Sequence, residues 1–68
     1  MDRYYVNINS QENGDHEVHK ANCSWLPDPE NRKYLGEFTF CSSAVKKAKE
    51  YYSQSNGCYY CSNPCHTK

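Results

Sequence analysis

Apolar and polar residues alternate near the start of the chain. Between residues 4 and 8, the side chains of Tyr4, Val6 and Ile8 fall on one face of an extended segment. This period of two predicts a half-buried β-strand. The polar stretch that follows contains Asn13-Gly14, which is a strong signal for a hairpin turn. Because segment 16–20 then returns with alternating character, we expect the first two strands to pair antiparallel.

The middle of the chain has a different pattern. Segment 21–32 contains two prolines among polar residues and is predicted to be a loop, since proline continues neither a helix nor a central strand. Trp25 and Leu26 are its large apolar residues, and we expect them to pack onto the core. Segment 33–40 reads as extended again, and Gly36 within it permits a bulge.

A helical period follows the third extended segment. Ser42 or Ser43 is a natural N-cap. The residues spaced to share one apolar face are Ala44, Val45, Ala48 and Tyr52, while the lysines between them face water. Asn56 or Gly57 is suited to a left-handed cap, so we expect the helix to end before them.

Together these patterns predict an α+β fold. It would consist of a three-stranded antiparallel sheet, one helix across it and a zinc knuckle at the C-terminus. The 68 residues are expected to form one domain, 1–68. Aliphatic residues are few, and much of the remaining core material is aromatic, including seven tyrosines whose hydroxyls need water or a partner. A chain this short with such a core is expected to need a metal, disulfides or a partner.

Charge and cysteine usage narrow the possible classes of protein. The formal net charge is zero, which argues against non-specific binding to nucleic acid. The start, Met-Asp-Arg-Tyr-Tyr, leads directly into the first strand without an apolar signal segment, and no stretch approaches a membrane span. We therefore expect a cytoplasmic protein with reduced thiols. Five cysteines would leave one over in a closed disulfide framework, which also favours a metal.

The candidate site begins with a Cys-x-x-Cys pair near the C-terminus. Cys58 and Cys61 follow a glycine, as in a metal knuckle, and His19 and Cys23 form a second possible half-site. Residues four apart in a straight strand lie about 13 Å from each other. His19 and Cys23 can therefore share an ion only if the chain turns between them. Asn22 tolerates the left-handed conformation that such a turn can use. We predict these four residues as ligands of a structural Zn²⁺.

Three further residues are alternative ligands. Cys65 lies four residues after Cys61 and can replace His19 in a four-cysteine site, and His66 is its neighbour. Cys41 lies just before the helix, where the helix dipole favours a thiolate. For Cys41 we prefer packing against the base of the helix.

The spacing of these residues resembles a known type of zinc-binding domain. It is similar to the metal-binding module of the Ada DNA-repair protein over roughly residues 17 to 61. The matching residues are His19 and Cys23, Phe38, Ala44 and Ala48, and the run from Gly57 to Cys61. The chain departs from that pattern in its N-terminal strand, in the aromatic residues after Cys58 and in its Cys65-His66 tail.

The resemblance implies a zinc-binding domain and carries no cellular role with it. Ada chemistry needs a DNA-binding surface, and no basic surface is evident here. The chain also looks like short stand-alone bacterial proteins of unassigned role. They share its Tyr-Tyr-Val-Asn, Glu-Val-His and Gly-Cys-Tyr-Tyr-Cys segments.

For function, we expect a small zinc-binding interaction module. A protein partner is expected, with nucleic acid less supported by the net charge, and Tyr5, Tyr59 and Tyr60 are candidate contact residues because tyrosine is favoured at interfaces. We expect a monomer that is not an enzyme, since no constellation of catalytic residues is evident. The alternatives are an exported mini-domain held by disulfides, and a thiol-based redox or metal sensor that reacts through Cys65 or Cys41.

Overall fold

The computed structural model describes residues 1–67. In chain order its main elements are β1 (Asp2–Asn7), β2 (His16–Lys20), β3 (Arg32–Phe38), α1 (Cys41–Ala48) and β4 (Ser55–Gly57). Two single-turn 3₁₀ segments, Pro29–Asn31 and Asn63–Cys65, lie in the connections. The strands form one sheet in the order β3-β1-β2-β4. Within residues 1–67, no helix has the length and apolar character that crossing a membrane requires.

The sheet is four-stranded and mixed, so the predicted three-stranded antiparallel sheet is wrong. β4 runs parallel to β2, with His16 opposite Ser55 and Val18 opposite Gly57. The sequence Ser-Asn-Gly has no apolar alternation, and we interpreted it as the end of the helix. It is nevertheless buried, because its polar groups are paired inside the protein.

The pairing of the β4 side chains explains why a polar strand is tolerated there. Ser55 Oγ donates a hydrogen bond to the Tyr52 carbonyl at 2.6 Å. Asn56 Nδ2 donates to the Asp15 carboxylate at 3.3 Å, and Asn56 Oδ1 accepts from the Gly57 N–H at 2.9 Å. Buried polar groups with such partners avoid most of the desolvation penalty.

The predicted hairpin of β1 and β2 is confirmed. The two strands pair antiparallel, with Val6 opposite Val18. The turn closes with a 2.8 Å hydrogen bond from the Gly14 N–H to the Gln11 carbonyl, and Gly14 has a φ of 92°, which glycine adopts without steric cost. Ile8 lies beyond the end of β1 and is 38% exposed, so its predicted inward position is wrong.

The predicted irregularity at Gly36 is also present. β3 pairs antiparallel with β1, and the register shifts so that Tyr4 faces Gly36 while Tyr5 faces Tyr34. Leu35 is therefore the additional residue of a bulge, and Gly36 has a φ of 122°. The bulge turns Leu35 into the core, where it is 6% exposed.

The helix occupies a different stretch from the predicted one. It begins at Cys41, after an N-cap residue, Phe40, that makes no capping hydrogen bond through its side chain. It ends at Ala48, well before the cap that we predicted at Asn56 or Gly57. Among residues 1–67, no residue other than glycine has a positive φ.

The core lies between the helix and one face of the sheet. Its buried members come from three strands and the helix, and they are Tyr4, Val6, Val18, Leu35, Ala44 and Ala48. Val45 and Tyr52 pack against them, as the helical period predicts. Trp25, by contrast, is 61% exposed, so its predicted packing onto the core is wrong.

Candidate metal centre

The parallel pairing of β2 and β4 brings the two halves of the candidate site together. Val18 stands opposite Gly57, and the next residues along the two strands are His19 and Cys58. The Cys58 N–H continues the pairing by donating to the Val18 carbonyl at 2.9 Å. His19 and Cys58, which are about 40 positions apart in the chain, thereby come close together. The sequence pattern of β4 does not predict this proximity.

A tight turn after β2 supplies the second residue of the N-terminal half-site. The Cys23 N–H donates to the Lys20 carbonyl at 3.1 Å, so the chain reverses between His19 and Cys23. The turn that the sequence requires is therefore present, although Asn22 does not use a left-handed conformation in it. The Cys23 and Cys58 sulfurs then lie 3.9 Å apart.

The structure thus places four chemically matched side chains around one point. One ligand atom from each lies within 4.8 Å of the others, and the residues are His19, Cys23, Cys58 and Cys61. This arrangement of one imidazole and three thiols can hold a metal ion. Zinc–sulfur bonds of about 2.3 Å in a tetrahedral site place two sulfurs about 3.8 Å apart, which agrees with the 3.9 Å between Cys23 and Cys58.

Backbone amides surround the three sulfurs. The N–H groups of Trp25 and Tyr60 each donate at 3.4 Å to the sulfur two residues earlier, which belongs to Cys23 and Cys58 respectively. The Lys20 N–H donates to Cys61 Sγ at 3.2 Å. Hydrogen bonds of this kind favour the thiolate over the thiol and orient the sulfur for an ion.

His19 is oriented in the way that metal-binding histidines usually are. The residue is 1% exposed, and within residues 1–67 its Nδ1 is a buried side-chain atom without a hydrogen-bond partner. Its Nε2 lies 3.5 Å from the Glu17 carboxylate. A carboxylate on one ring nitrogen fixes the tautomer and leaves the other nitrogen with a lone pair for a metal.

The pKa values reflect the burial of these groups. Burial lowers the pKa of His19 to about 4, so the imidazole is neutral near pH 7 and can act as a ligand. Burial raises the pKa of the Cys23 thiol to about 12, with further contributions from the neighbouring Cys61 and Cys58. Burial raises the pKa of Cys58 as well. The Cys23 and Cys58 thiols in this environment stay protonated until a cation replaces their protons.

The alternative ligands lie outside this group. Cys41 and Cys65 form a disulfide, with Cα atoms 6.2 Å apart. His66 Nδ1 lies 3.0 Å from the Gly57 carbonyl. Cys41 also packs against the core as we expected, but the disulfide was not predicted. The five cysteines therefore divide into one bonded pair and three free thiols.

Gly57 is the point where the disulfide and the candidate site come closest. A Cβ atom added at Gly57 would lie 2.8 Å from Cys65 Cβ and 2.8 Å from the Ser62 carbonyl oxygen. The close approach explains why glycine stands before Cys58. Ser62 is itself buried, and it links the two features because its carbonyl accepts the Cys65 N–H at 2.9 Å.

Three aromatic residues that are close in the chain to the candidate ligands contact one another. We call Trp25, Tyr59 and Tyr60 the aromatic patch. The Trp25 and Tyr60 rings stack at 5.4 Å between centroids, and Tyr59 meets Tyr60 edge to face at 5.2 Å. All three residues are more than half exposed. Tyr5, by contrast, is half-buried between Tyr34 and the Arg32 guanidinium, on another part of the sheet.

Comparison of the chain with protein-family models, with curated proteins and with solved structures finds no match. The Ada-type resemblance therefore has no support beyond the residues that suggested it. The geometry itself supports the coarser statement that this His-Cys group can bind a metal.

Proposed function

We propose that this chain is a small zinc-binding domain in which the ion has a structural role and the aromatic patch binds a protein partner. The observation that supports the metal most directly is the unpaired, buried Nδ1 of His19 beside three free thiols. A buried polar atom without a partner is costly, and an ion would remove that cost.

The donor set favours zinc among the divalent ions. Thiolates and imidazole are the ligands of structural zinc sites, and a Cys₃His set is one of their usual compositions. Calcium and magnesium prefer oxygen ligands, and the four candidate atoms are sulfur or nitrogen. Other thiophilic ions share the preference for sulfur, so the metal itself has to be identified by mass.

A structural role fits the number of ligands. Catalytic zinc sites usually keep one position open for water or substrate, whereas structural sites use four protein ligands. His19, Cys23, Cys58 and Cys61 would fill a tetrahedral site completely. The ion would join the end of β2 to the chain after β4.

Native mass spectrometry of the intact protein, with and without a chelator, tests the metal directly. We expect one zinc per chain and loss of dispersed amide NMR signals on chelation. A protein whose mass shows no metal before the chelator is added, and whose dispersed spectrum the chelator does not change, would contradict the proposal. Two disulfides and one free thiol in the intact mass would instead establish the disulfide mini-domain.

The aromatic patch supports the second part of the proposal. Tyr59 and Tyr60 lie between two candidate ligands, and Trp25 follows a third by two residues. An ion would therefore hold the three rings in a fixed arrangement at low entropic cost. Large aromatic residues exposed together are typical of binding surfaces rather than of a solvated surface.

A matched pair of variants tests whether the patch binds a protein. Tyr60→Ala removes a ring of the patch, and Tyr34→Ala removes an exposed ring on the sheet. Proteins cross-linked to the wild-type chain in cells should be lost with Tyr60→Ala and retained with Tyr34→Ala, with equal zinc content in both. Loss of zinc or of the fold in Tyr60→Ala would show that the ring covers the metal instead.

The predicted cytoplasmic location can be tested through the cysteines. Alkylation of thiols in intact cells, followed by measurement of the protein mass, reports whether Cys41 and Cys65 are bonded there. In a reducing compartment we expect both to be alkylated. A bonded pair in the cell would contradict the cytoplasmic location.

A further inference from the structure

A cavity of about 400 Å³ lies beside the candidate metal centre, between β1, the end of β2, the start of α1 and segment 61–65. Its wall includes Tyr4, Lys20, Phe40, Cys41, Ser42 and Cys61. The ligand set and the aromatic patch leave most of these residues without a role. The chemistry of this wall is therefore not explained by the metal centre or by the aromatic patch.

The first turn of α1 faces this cavity without a cap. Phe40 occupies the N-cap position and makes no capping hydrogen bond through its side chain, and the first turn contains no acidic residue. The first N–H groups of a helix have no partner within the helix, and the helix dipole places partial positive charge there. Such a terminus binds an anion when other groups assist it.

Tyr4 supplies an independent polar group in the same wall. The residue is 1% exposed and lines the cavity, and none of the side-chain hydrogen bonds within residues 1–67 involves its hydroxyl. Burial raises the pKa of Tyr4 above its ordinary value, while nearby Lys20 lowers it and Asp2 and Cys61 raise it. A tyrosine hydroxyl has an ordinary pKa of about 10, so it is protonated at neutral pH and can donate a hydrogen bond to a group in the cavity.

The charged residues that line this cavity and its neighbour are lysines. Lys20 lies in its wall, and an adjoining cavity of about 320 Å³ beyond Cys65 is lined by Lys46 and Lys49. Among the described residues, no carboxylate lines either cavity. Asp2 lies outside, but its carboxylate is 3.7 Å from Lys20 Nζ and partly neutralises it.

We propose that this cavity binds a small oxyanion, either a phosphate or a carboxylate group. The oxyanion would accept hydrogen bonds from the Tyr4 hydroxyl and from the first N–H groups of α1, with Lys20 as the counter-charge. Two negative groups oppose it, Asp2 and the Cys61 sulfur in the wall, so we expect millimolar affinity. The site is separate from the aromatic patch and goes beyond the proposed function.

Titration of the intact, non-reduced protein with inorganic phosphate, followed by NMR, tests the site. Sodium chloride of equal ionic strength is the control. Saturable shifts of the Cys41 and Ser42 amides are expected with phosphate and not with chloride. A parallel titration with acetate distinguishes the two sources, since a phosphate site should bind acetate more weakly and a carboxylate site should bind it at least as well.

Three variants make the test specific. Tyr4→Phe retains the ring and should weaken binding about fivefold, as expected for one lost hydrogen bond. Lys20→Gln should weaken it about tenfold because a charge-assisted contact is lost. Asp2→Asn frees Lys20 and should strengthen it about threefold. The exposed Tyr34→Phe is the matched control and should change nothing.

The absence of saturable shifts, or equal affinities in wild type, Tyr4→Phe and Lys20→Gln, would overturn the proposal. A decrease in affinity with Asp2→Asn would also contradict it. If one variant loses its dispersed spectrum, the remaining two still decide the outcome, because each has a stated direction of change relative to wild type and to the Tyr34→Phe control. None of these results depends on which metal the neighbouring centre holds.

Discussion

The two cysteine-containing regions of this molecule arrange their sulfur atoms in different ways. At the candidate metal centre, three thiols and one imidazole converge on a point, and backbone amides orient the sulfurs. At the disulfide, Cys41 and Cys65 join the start of α1 to the last turn of the described chain by one covalent bond. Within a chain of 68 residues, the same residue type therefore forms one covalent cross-link and one group that can hold a metal ion.

The difference shows that contacts between distant segments decide which partner each cysteine sulfur meets. Cys61 and Cys65 are four residues apart, yet Cys61 receives an amide N–H from Lys20 and Cys65 is bonded to the helix. An ion at the first site depends on metal and proton concentration, whereas the second bond depends on redox conditions. The two should therefore respond to different treatments, and substitutions can separate them.

The largest expected effect is the loss of one thiol of the metal centre. Cys58→Ser removes a buried candidate ligand and should abolish stoichiometric zinc. Structural zinc contributes about 10–16 kcal/mol of apparent free energy in zinc-finger peptides, which exceeds the net stability of about 5–15 kcal/mol that most domains have. We therefore expect an unfolded chain by circular dichroism and NMR. A folded Cys58→Ser variant that retains zinc would contradict this assignment.

The second largest effect is expected at the disulfide. The double variant Cys41→Ser with Cys65→Ser opens a bond that spans 24 positions of the chain, and chain entropy predicts a loss of about 3 kcal/mol in the free energy of unfolding. Denaturant unfolding measures the loss. This variant is also the matched control for Cys58→Ser, since it should retain one zinc per chain. Loss of zinc would show that the two regions are not independent.

A smaller effect is expected where the two regions touch. Gly57→Ala places a Cβ 2.8 Å from the Ser62 carbonyl oxygen and from Cys65 Cβ, and relief of such overlap typically costs about 1–3 kcal/mol. The midpoint of thermal unfolding should fall accordingly. Ser53→Ala, at an exposed position just before β4, is the control. Unchanged stability of Gly57→Ala would mean that the turn around Ser62 moves freely.

The smallest expected effect concerns the partner of the imidazole. Glu17→Gln keeps the size of the side chain but removes the carboxylate 3.5 Å from His19 Nε2. Loss of such a partner lowers metal affinity about tenfold or more. Competition with a chromogenic chelator measures the change, and Glu37→Gln, at an exposed carboxylate paired with Arg3, is the control. Equal zinc affinity in both variants would exclude a role for Glu17.

Much of the local structure could be predicted from the chain. The alternation in residues 4–8 predicted strand β1. The pair Asn13-Gly14 predicted the hairpin turn, in which Gly14 has a positive φ. The buried helix residues Ala44 and Ala48 followed from the helical period. The four residues that the structure brings together were also named from their spacing, because soft ligands in pairs are uncommon in a short chain.

Other features had no local signal that could reveal them. The β4 segment is three polar residues long. Its burial depends on the hydrogen bonds that Ser55 and Asn56 donate to the Tyr52 carbonyl and the Asp15 carboxylate. We predicted the start of α1 too far along the sequence, at Ser42 or Ser43, because Phe40 is not a usual N-cap residue. The stacking of Trp25 on Tyr60 joins two loops that lie far apart in the sequence.

The amino-acid sequence by itself determined the short-range features of this protein: the periods of its strands and helix, its turn and the supply of thiols and imidazole. Each depends on neighbouring residues, which sterics and burial constrain locally. Only the tertiary structure decided which cysteines meet, since that depends on the parallel register of β2 with β4 and on the distance from Cys41 to Cys65. Contacts between distant segments depend on the packing of the whole chain, so they cannot be predicted from a short stretch of sequence.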